Sequence, residues 1–403
     1  MRLTEQIQIK KTTNLSYLCH LSKNIYNVAN YYVRQELFHL GNWLRYYDLW
    51  YMLKDKEVYK KLPSQTAQQI LRLVDKNWKS FFNSLKKWRA QPRKYQSRPR
   101  PPKYKKKNGE FLLIFTNQQC RIKEGYLHFP EKVAISPIKT RIENQLNQVR
   151  LVPKGLYYVV EIIYEKDVKN LKLDRKRILG IDLGLANIVT MVNNAGLQPA
   201  IIKGGIAKST NQFYNKQLAK YKSDKDKRGI AFETRKIQKL TKKRNNKISD
   251  LFHKISRKII NYCVDNNFGT IIIGYNQFWK QKINIGHINN QKFVQLPYFK
   301  LTSQIRYKSK LVGIDVILEE ESYTSKCSFL DKESIQKHKN YAGKRINRGL
   351  FRSKKGIILN ADVNAGYNII KKVIPNAVMV DGIEGIGLYP YSITVSKFTN
   401  LIE

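Results

Sequence analysis

The stretch that most constrains this chain runs from Arg177 to Asn194, RILGIDLGLANIVTMVNN. Four apolar or small residues lead into a single carboxylate, Asp182, a Gly-Leu-Ala-Asn turn follows, and a second apolar run closes the unit. Two apolar runs joined by a tight turn read as a β-hairpin whose first strand is buried. An acid at that place loses its water shell, which is costly unless a cation pairs with it. A divalent metal ion is the natural partner, and the question is whether other carboxylates lie downstream to complete a metal site.

Charge narrows the partners. The 403 residues hold 75 Lys and Arg against 30 Asp and Glu, a formal net charge of +45. A field of that sign attracts polyanions and binds phosphate backbones by releasing their counterions. A generic basic protein has the same balance, but 42% hydrophobic and 11% aromatic residues describe a folded chain, not a basic tail. No apolar run approaches the roughly 20 residues of a membrane span, and no signal peptide is evident. Cys19, Cys120, Cys263 and Cys327 are scattered without a Cys-x-x-Cys pair. Neither a disulfide framework nor a zinc ribbon is written here, and a reducing, cytoplasmic setting is expected, nucleoid-associated in a bacterium.

In chain order, residues 3–11 alternate as a short strand, and helical spacing begins at Asn14. The clearest helix follows Pro63, with Ser64 as its expected cap and Ala67, Ile70, Leu71, Val74, Trp78, Phe81, Phe82, Leu85 and Trp88 on one face. Gln91–Gly109, QPRKYQSRPRPPKYKKKNG, is too rich in proline for regular structure. It reads equally as a solvated linker or as a strap along a phosphate backbone, with Tyr95 and Tyr104 available for stacking. Short strands near 111–115, 125–129, 149–152 and 156–164 suggest a small barrel that the first strand could join, making the helices an insertion. After the hairpin come a strand at 196–203, a basic helical region at 212–266, the buried strand TIIIG, a helix at 293–312 and a strand at 314–318. A basic loop and a last strand and helix at 356–373 complete the pattern, and beyond Pro375 a tail is expected. Hairpin, strand and then alternating helices and strands is the ribonuclease H-like arrangement.

Three sets of acids lie on sequence-distant elements: Asp182, the run Glu319, Glu320 and Glu321 at a strand exit, and Asp362 at a helix start. Each alone has a plain structural explanation, Asp362 as a helix cap for instance. Together they match what two Mg²⁺ ions about 3.5–4 Å apart require for phosphodiester hydrolysis, with Mn²⁺ as a substitute.

The segments GIDLGLANIVT, TIIIGYNQFWKQ, EESYTSKCSFLD and NADVNAGYNI resemble the RuvC-type nuclease blocks of TnpB, the RNA-guided endonuclease of insertion sequences and an ancestor-like relative of type V CRISPR effectors. The resemblance is strong over residues 178–372 and holds in outline before them. It implies an α/β fold: a wedge-like β-barrel domain at 1–13 and 92–175, a helical recognition domain inserted at 14–91, a RuvC nuclease domain at 176–374 with a basic insertion at 324–356, and a tail at 375–403. It further implies a guide RNA, a double-stranded DNA target beside a short flanking motif, Mg²⁺-dependent cleavage and a transposon setting. Oligomeric state is left open, since a chain this small covering a large RNA could dimerise; a monomer is favoured, and no coiled-coil seam is visible.

Two departures matter. Where the family usually has a glutamate in the second block, this chain has Gly274. Some relatives, and the eukaryotic Fanzor proteins, carry a substitute glutamate just before a Thr-Ser-Lys segment. Here Glu321 precedes Thr324 by three residues, so Asp182, Glu321 and Asp362 are the expected catalytic and metal-binding set, with Glu320 and then Glu319 behind Glu321. The four-cysteine zinc ribbon of many family members is also missing, with Cys327 alone in that interval, so no zinc is expected. Nucleic-acid contacts are expected from Arg98, Arg100, Lys103, Lys105, Lys106, Lys107, Lys242, Lys243, Arg244, Arg345 and Arg348. Two rival readings remain: a catalytically inactive RNA-guided DNA-binding repressor, if Gly274 marks a disabled site, and a ribonuclease H-like transposase without a guide.

Overall fold

A computed structural model describes residues 1–276, 295–347, 349–378 and 385–395, and the chain divides into two compact units, Met1–Asp167 and Val168–Glu403. In the first unit, β1 (Arg2–Lys10) alternates between exposed and half-buried positions. α1 (Thr13–Gln35) starts where the Thr12 side chain accepts from the Leu15 amide. A π turn follows, then α2 (Tyr46–Leu53), α3 (Glu57–Lys60) and α4 (Ser64–Ala90). Ser64 is the first residue of α4, and Pro63 precedes it without a side-chain cap. The expected apolar face is real: Ala67, Ile70, Leu71, Val74, Trp78 and Leu85 are buried.

β2 (Leu113–Thr116), β3 (Arg121–Lys123), β4 (Tyr126–His128), β5 (Ile138–Lys139), β6 (Leu146–Pro153) and β7 (Tyr157–Glu165) complete this unit. They form one sheet in the order β1-β7-β6-β2 and a second in the order β3-β4-β5. The described pairings leave β1 and β2 as edges, so they include no closure into a barrel. Helices and sheet share one core, in which Tyr26, Trp78, Phe115 and Tyr158 are fully buried.

The proline-rich strap is neither a free linker nor a regular element. After a short 3₁₀ turn at Pro92–Lys94 it lies along α1, where four polar side chains read its backbone. Lys23 donates to the Lys107 carbonyl at 2.6 Å, Asn27 both donates to and accepts from Lys105, and Asn30 and Arg34 donate to the Pro102 carbonyl. Residues 23, 27, 30 and 34 share one helical face, so a single stripe of α1 satisfies backbone groups that the strap's few internal turns do not.

The second unit is built on a six-stranded sheet. β8 (Asp174–Asp182), β9 (Asn187–Asn193) and β10 (Ala200–Lys203) are the antiparallel start. α5 (Gly205–Lys227) and α6 (Arg235–Asp265) follow, so the long basic helical region is two helices, broken at Gly229 (φ 62°) and restarted under a Thr234 cap. β11 (Phe268–Gly274) then pairs parallel to β8. α7 (Tyr298–Val312) leads to β12 (Asp315–Glu319), parallel to β11. The expected helix start at Phe293 and the segment around Trp279 lie outside the described residues.

The last predicted strand does not join this sheet. β13 (Lys344–Asn347), β14 (Leu350–Arg352) and β15 (Ile358–Asn360) form their own three-stranded sheet, and α8 (Ala361–Val373) leaves directly from β15. The expected tail is partly structural: β16 (Tyr391–Ile393) pairs parallel to β10 as the edge strand, and Val395 is buried in the core. The main sheet therefore reads β12-β11-β8-β9-β10-β16. No helix among the described residues is long and apolar enough to cross a membrane.

Candidate active site

Asp182 ends β8, the sheet's central strand on this side, and its backbone leads straight into the hairpin turn. What brings α8 against it is Gly180. A Cβ there would stand 2.6 Å from Ile370 Cγ1 and 3.0 Å from Val192 Cγ2, so only glycine lets the helix lie this close to β8. α8 carries Asp362 in its first turn. The N-cap is Asn360, whose side chain accepts from the Asp362 and Val363 amides. Asp362 is therefore relieved of the capping role its position suggested, and its carboxylate turns elsewhere. Oδ2 accepts from Asn187 of the hairpin at 2.8 Å, and Oδ1 lies 3.4 Å from an Arg345 guanidinium nitrogen on β13.

Glu321 arrives from the neighbouring strand. Gly274 of β11 is in register with Glu319 of β12, and the Tyr275 amide bonds the Glu319 carbonyl at 2.8 Å. The chain then turns, with Thr324 Oγ1 donating to the Glu321 carbonyl at 2.9 Å. The turn folds the Glu321 side chain over Gly274. A Cβ on residue 274 would stand 2.9 Å from Glu321 Oε2 and 2.5 Å from Ile369 Cδ1. Glycine thus leaves the space that the Glu321 carboxyl fills. Asn276 accepts from the Glu321 amide and lies 3.5 Å from Oε1, while Oε2 is buried with no hydrogen-bond partner.

The two other glutamates are engaged differently. Lys372 of α8 reaches Glu320 Oε2 at 2.9 Å and Glu319 Oε1 at 3.6 Å, and Glu320 also accepts from Ser322. One turn and two turns back along α8, Asn368 donates to the Thr324 and Cys327 carbonyls, and Asn364 to the Cys327 carbonyl. The helix that carries Asp362 thereby also holds the loop that carries Glu321. In the insertion beyond, the Glu333 carboxylate accepts from the Ser328 amide at 2.7 Å and the Ala342 amide at 2.9 Å, drawing both ends of the loop together.

The acids repel one another. Burial, then the charge of Asp362, pushes the Asp182 carboxyl well above the usual carboxylate range, against the pull of Arg345 and the Leu183 amide. Burial, then Asp182 and Glu320, pushes Glu321 up as well, with Lys372 opposing. Tyr298, whose hydroxyl donates to the Gly184 carbonyl at 2.7 Å, is also raised, by burial and by both acids. Among the described residues, no three His, Cys, Asp or Glu side chains are gathered closely enough to hold a metal ion as they stand. Even so, a partnerless buried oxygen on Glu321 and mutually repelling acids are what hard, oxygen-seeking cations such as Mg²⁺ neutralise, so the donor set fits one. Asn187, Asn276, Tyr298 and Lys372 were not foreseen. Asn187 was legible only as part of the turn, and the rest carry no motif.

The basic residues separate into two groups. Arg98, Arg100, Lys103, Lys106, Lys107 and Lys243 are exposed. Lys105 is not free: its ammonium sits 4.6 Å from the Tyr26 ring centroid and 4.7 Å from that of Phe111, and burial lowers its pKa. Arg244 is tied to Asn211 at 2.8 Å, to Asn245 and to the Gln295 carbonyl, so it braces α6 against α5. Lys242 is half-buried, Arg345 is at the acids, and Arg348 lies outside the described residues.

The chain is mixed α/β, with a hairpin acid and two more acids close enough to perturb it or be perturbed by it, and comparison with known proteins gives what it is similar to. Residues 161–279 match the OrfB_IS605 family, described as a probable transposase, and residues 298–369 match the Cas12f1-like TNB domain. The chain is 25% identical over 414 aligned positions to the TnpB-like protein ORF457 of Acidianus two-tailed virus, covering 89% of this chain and 83% of that protein. It is 27% identical to the CRISPR-associated endodeoxyribonuclease Cas12f1 of Sulfoacidibacillus thermotolerans, over 55% of this chain and 51% of that protein. A Cas12f1-sgRNA-target DNA complex aligns over 91% of this chain and 98% of that one at 17% identity with a TM-score of 0.38, and the CRISPR-Cas_phi3 endonuclease over 94% and 93% at 11% identity with a TM-score of 0.49. The chain is thus similar to a TnpB-like protein and to Cas12f nucleases.

Proposed function

We propose that this protein is an RNA-guided DNA endonuclease of the TnpB type, with a RuvC-like site formed by Asp182, Glu321 and Asp362. The observation that carries the reading is the Glu321 carboxyl lying over Gly274, with one oxygen buried and partnerless beside a strongly perturbed Asp182. A functional acid has been moved to the turn beyond the adjacent strand, and the glycine is the space it needs. A site freed of chemistry has no reason to retain such repulsion.

Asp182, Glu321 and Asp362 would hold divalent cations, Asn187 orienting Asp362 and Asn276 orienting Glu321. Two Mg²⁺, when bound, supply activation of the attacking water and stabilisation of the leaving 3′ oxygen. The exposed lysines and arginines of the strap and of α6 attract the phosphate backbone, and pairing with a guide RNA supplies the sequence.

The test is cleavage of a supercoiled plasmid bearing a target and its flanking motif, with the guide RNA that copurifies and Mg²⁺. Wild type is expected to cut and Glu321→Ala to bind without cutting. Equal cutting by Glu321→Ala would overturn the assignment of that residue. Wild type that binds the guided target but never cuts in Mg²⁺ or Mn²⁺ would make the protein a repressor.

A further inference from the structure

Arg345 is held in a way that catalysis alone does not explain. Both Asp362 oxygens are engaged, Oδ2 by Asn187 and Oδ1 by the Arg345 guanidinium. Arg345 is also the cation that draws the neighbouring Asp182 down against burial. On α8, Lys372 is directed at Glu319 and Glu320, and Lys371 at the Glu333 carbonyl. Among the described residues Arg345 thus stands as the counter-ion of the Asp182–Asp362 pair, at a carboxylate that a metal ion would need.

The contact is built for exchange. At 3.4 Å it is longer than the roughly 2.7–2.9 Å of a tight charge-assisted bond. The Arg345 side chain is 43% exposed, and all four residues of β13 are exposed. A guanidinium so placed is open to an incoming anion, and a phosphodiester offers it the paired oxygens it binds best. β13 connects through β14 to β15, whose last residue caps α8 in front of Asp362, so leaving the carboxylate requires a side-chain swing and no movement of the strand.

We propose that Arg345 is an exchangeable counter-ion that closes the acid cluster to divalent cations until a nucleic-acid phosphodiester takes its guanidinium, coupling arrival of the strand to metal uptake. This rests on the reading of Asp182, Glu321 and Asp362 as metal ligands. Because such coupling is reciprocal, a strand tightens metal binding by the same factor that metal tightens strand binding.

The experiment is Mn²⁺ binding to the full-length protein, followed by electron paramagnetic resonance, with and without a single-stranded phosphorothioate DNA oligonucleotide. Asp362→Asn plus oligonucleotide serves as the blank. Without DNA, Arg345→Ala is expected to bind Mn²⁺ on the order of tenfold more tightly than wild type, the factor that ~1.4 kcal/mol corresponds to. Arg345→Gln, which keeps the side-chain bulk, is expected to do the same. The oligonucleotide is expected to tighten Mn²⁺ binding by wild type and to leave both variants unchanged. Variants that bind Mn²⁺ no more tightly than wild type, or an oligonucleotide effect that persists in them, would overturn the proposal and leave the metal site standing. If no protein binds Mn²⁺ above the blank, the metal reading fails and this proposal fails with it.

Discussion

At Gly274 a single missing side chain explains the site. A carboxylate grown from residue 274 and one reaching over from residue 321 would compete for the same volume, since the Cβ alone would approach Glu321 Oε2 to 2.9 Å. Gly274→Glu in the wild-type background is therefore expected to abolish cleavage. Combined with Glu321→Ala, whose carboxyl is gone, the same substitution is expected to recover part of the cutting, because the remaining obstacle is the flexible tip of Ile369. Initial rates on one plasmid target compare the variants. Asn276→Ala, which removes the support of Glu321, is expected to lower the rate by about 10–100-fold, the usual consequence of losing a group that orients a metal ligand. The electrostatics make a second, independent prediction. Glu321 and Asp182 have raised folded-state values, so over the window above the usual carboxylate range the folded protein holds more protons than the unfolded chain. Stability without metal then falls as pH rises through that window, the reverse of an ordinary ion-paired acid. Glu321→Gln is expected to flatten the fall, and Mg²⁺ to counteract it in wild type alone; thermal melts across pH in the presence of a chelator, then with Mg²⁺, measure both. Glu321 could be singled out in the sequence because it stands beside a Thr-Ser-Lys segment. Asn276 and Lys372 could not, because a side chain that orients another has no spacing of its own to betray it.

Among the elements, α8 and the strap show how much of the arrangement was hidden. α8 was readable from its periodicity, but its closeness to β8 depends on Gly180, and a glycine in a strand signals close approach without saying to what. Gly180→Val inserts a branched side chain against Ile370 and Val192, and overpacking of that kind costs about 1–3 kcal/mol. Chemical denaturation is expected to show the loss, and cleavage to fall further than the stability change accounts for, since the helix that moves carries Asp362. The strap was ambiguous for a different reason. Its composition describes a solvated linker, while its order comes from Lys23, Asn27, Asn30 and Arg34, a polar stripe on another element. The stripe was present in the sequence at helical spacing, but nothing local ties it to prolines some seventy residues on, as the |i−j| of 72 between Asn30 and Pro102 illustrates. Asn27→Ala removes both bonds to Lys105 and is expected to expose the segment between Gln91 and Gly109 to trypsin at protein concentrations where wild type resists. β16 was missed because a three-residue edge strand is too short for any alternation to register.

For the molecule as a whole, the +45 charge predicts binding that weakens steeply with salt, and the structure divides that charge into parts that can and cannot contribute. Each lysine or arginine that neutralises a phosphate of duplex DNA adds about 0.9 to the slope of log affinity against log salt, and about 0.7 for a single strand. Lys103, Lys106 and Lys107 are exposed along the strap, whereas Lys105 between them is enclosed by Tyr26 and Phe111. Arg244 belongs with Lys105, its guanidinium being spent on Asn211, Asn245 and the Gln295 carbonyl. The triple substitution of Lys103, Lys106 and Lys107 by alanine is expected to reduce the slope by about 2–3 for either nucleic acid while leaving the melting temperature nearly unchanged. Lys105→Ala and Arg244→Ala are expected to do the opposite, lowering the melting temperature and leaving the slope where it was. Fluorescence anisotropy on a labelled oligonucleotide over a range of NaCl, beside thermal melts of the same proteins, separates the two outcomes. A triple variant that keeps the full slope would show that the strap lies off the phosphate path, and that its lysines, like its backbone, serve the helical face they run along.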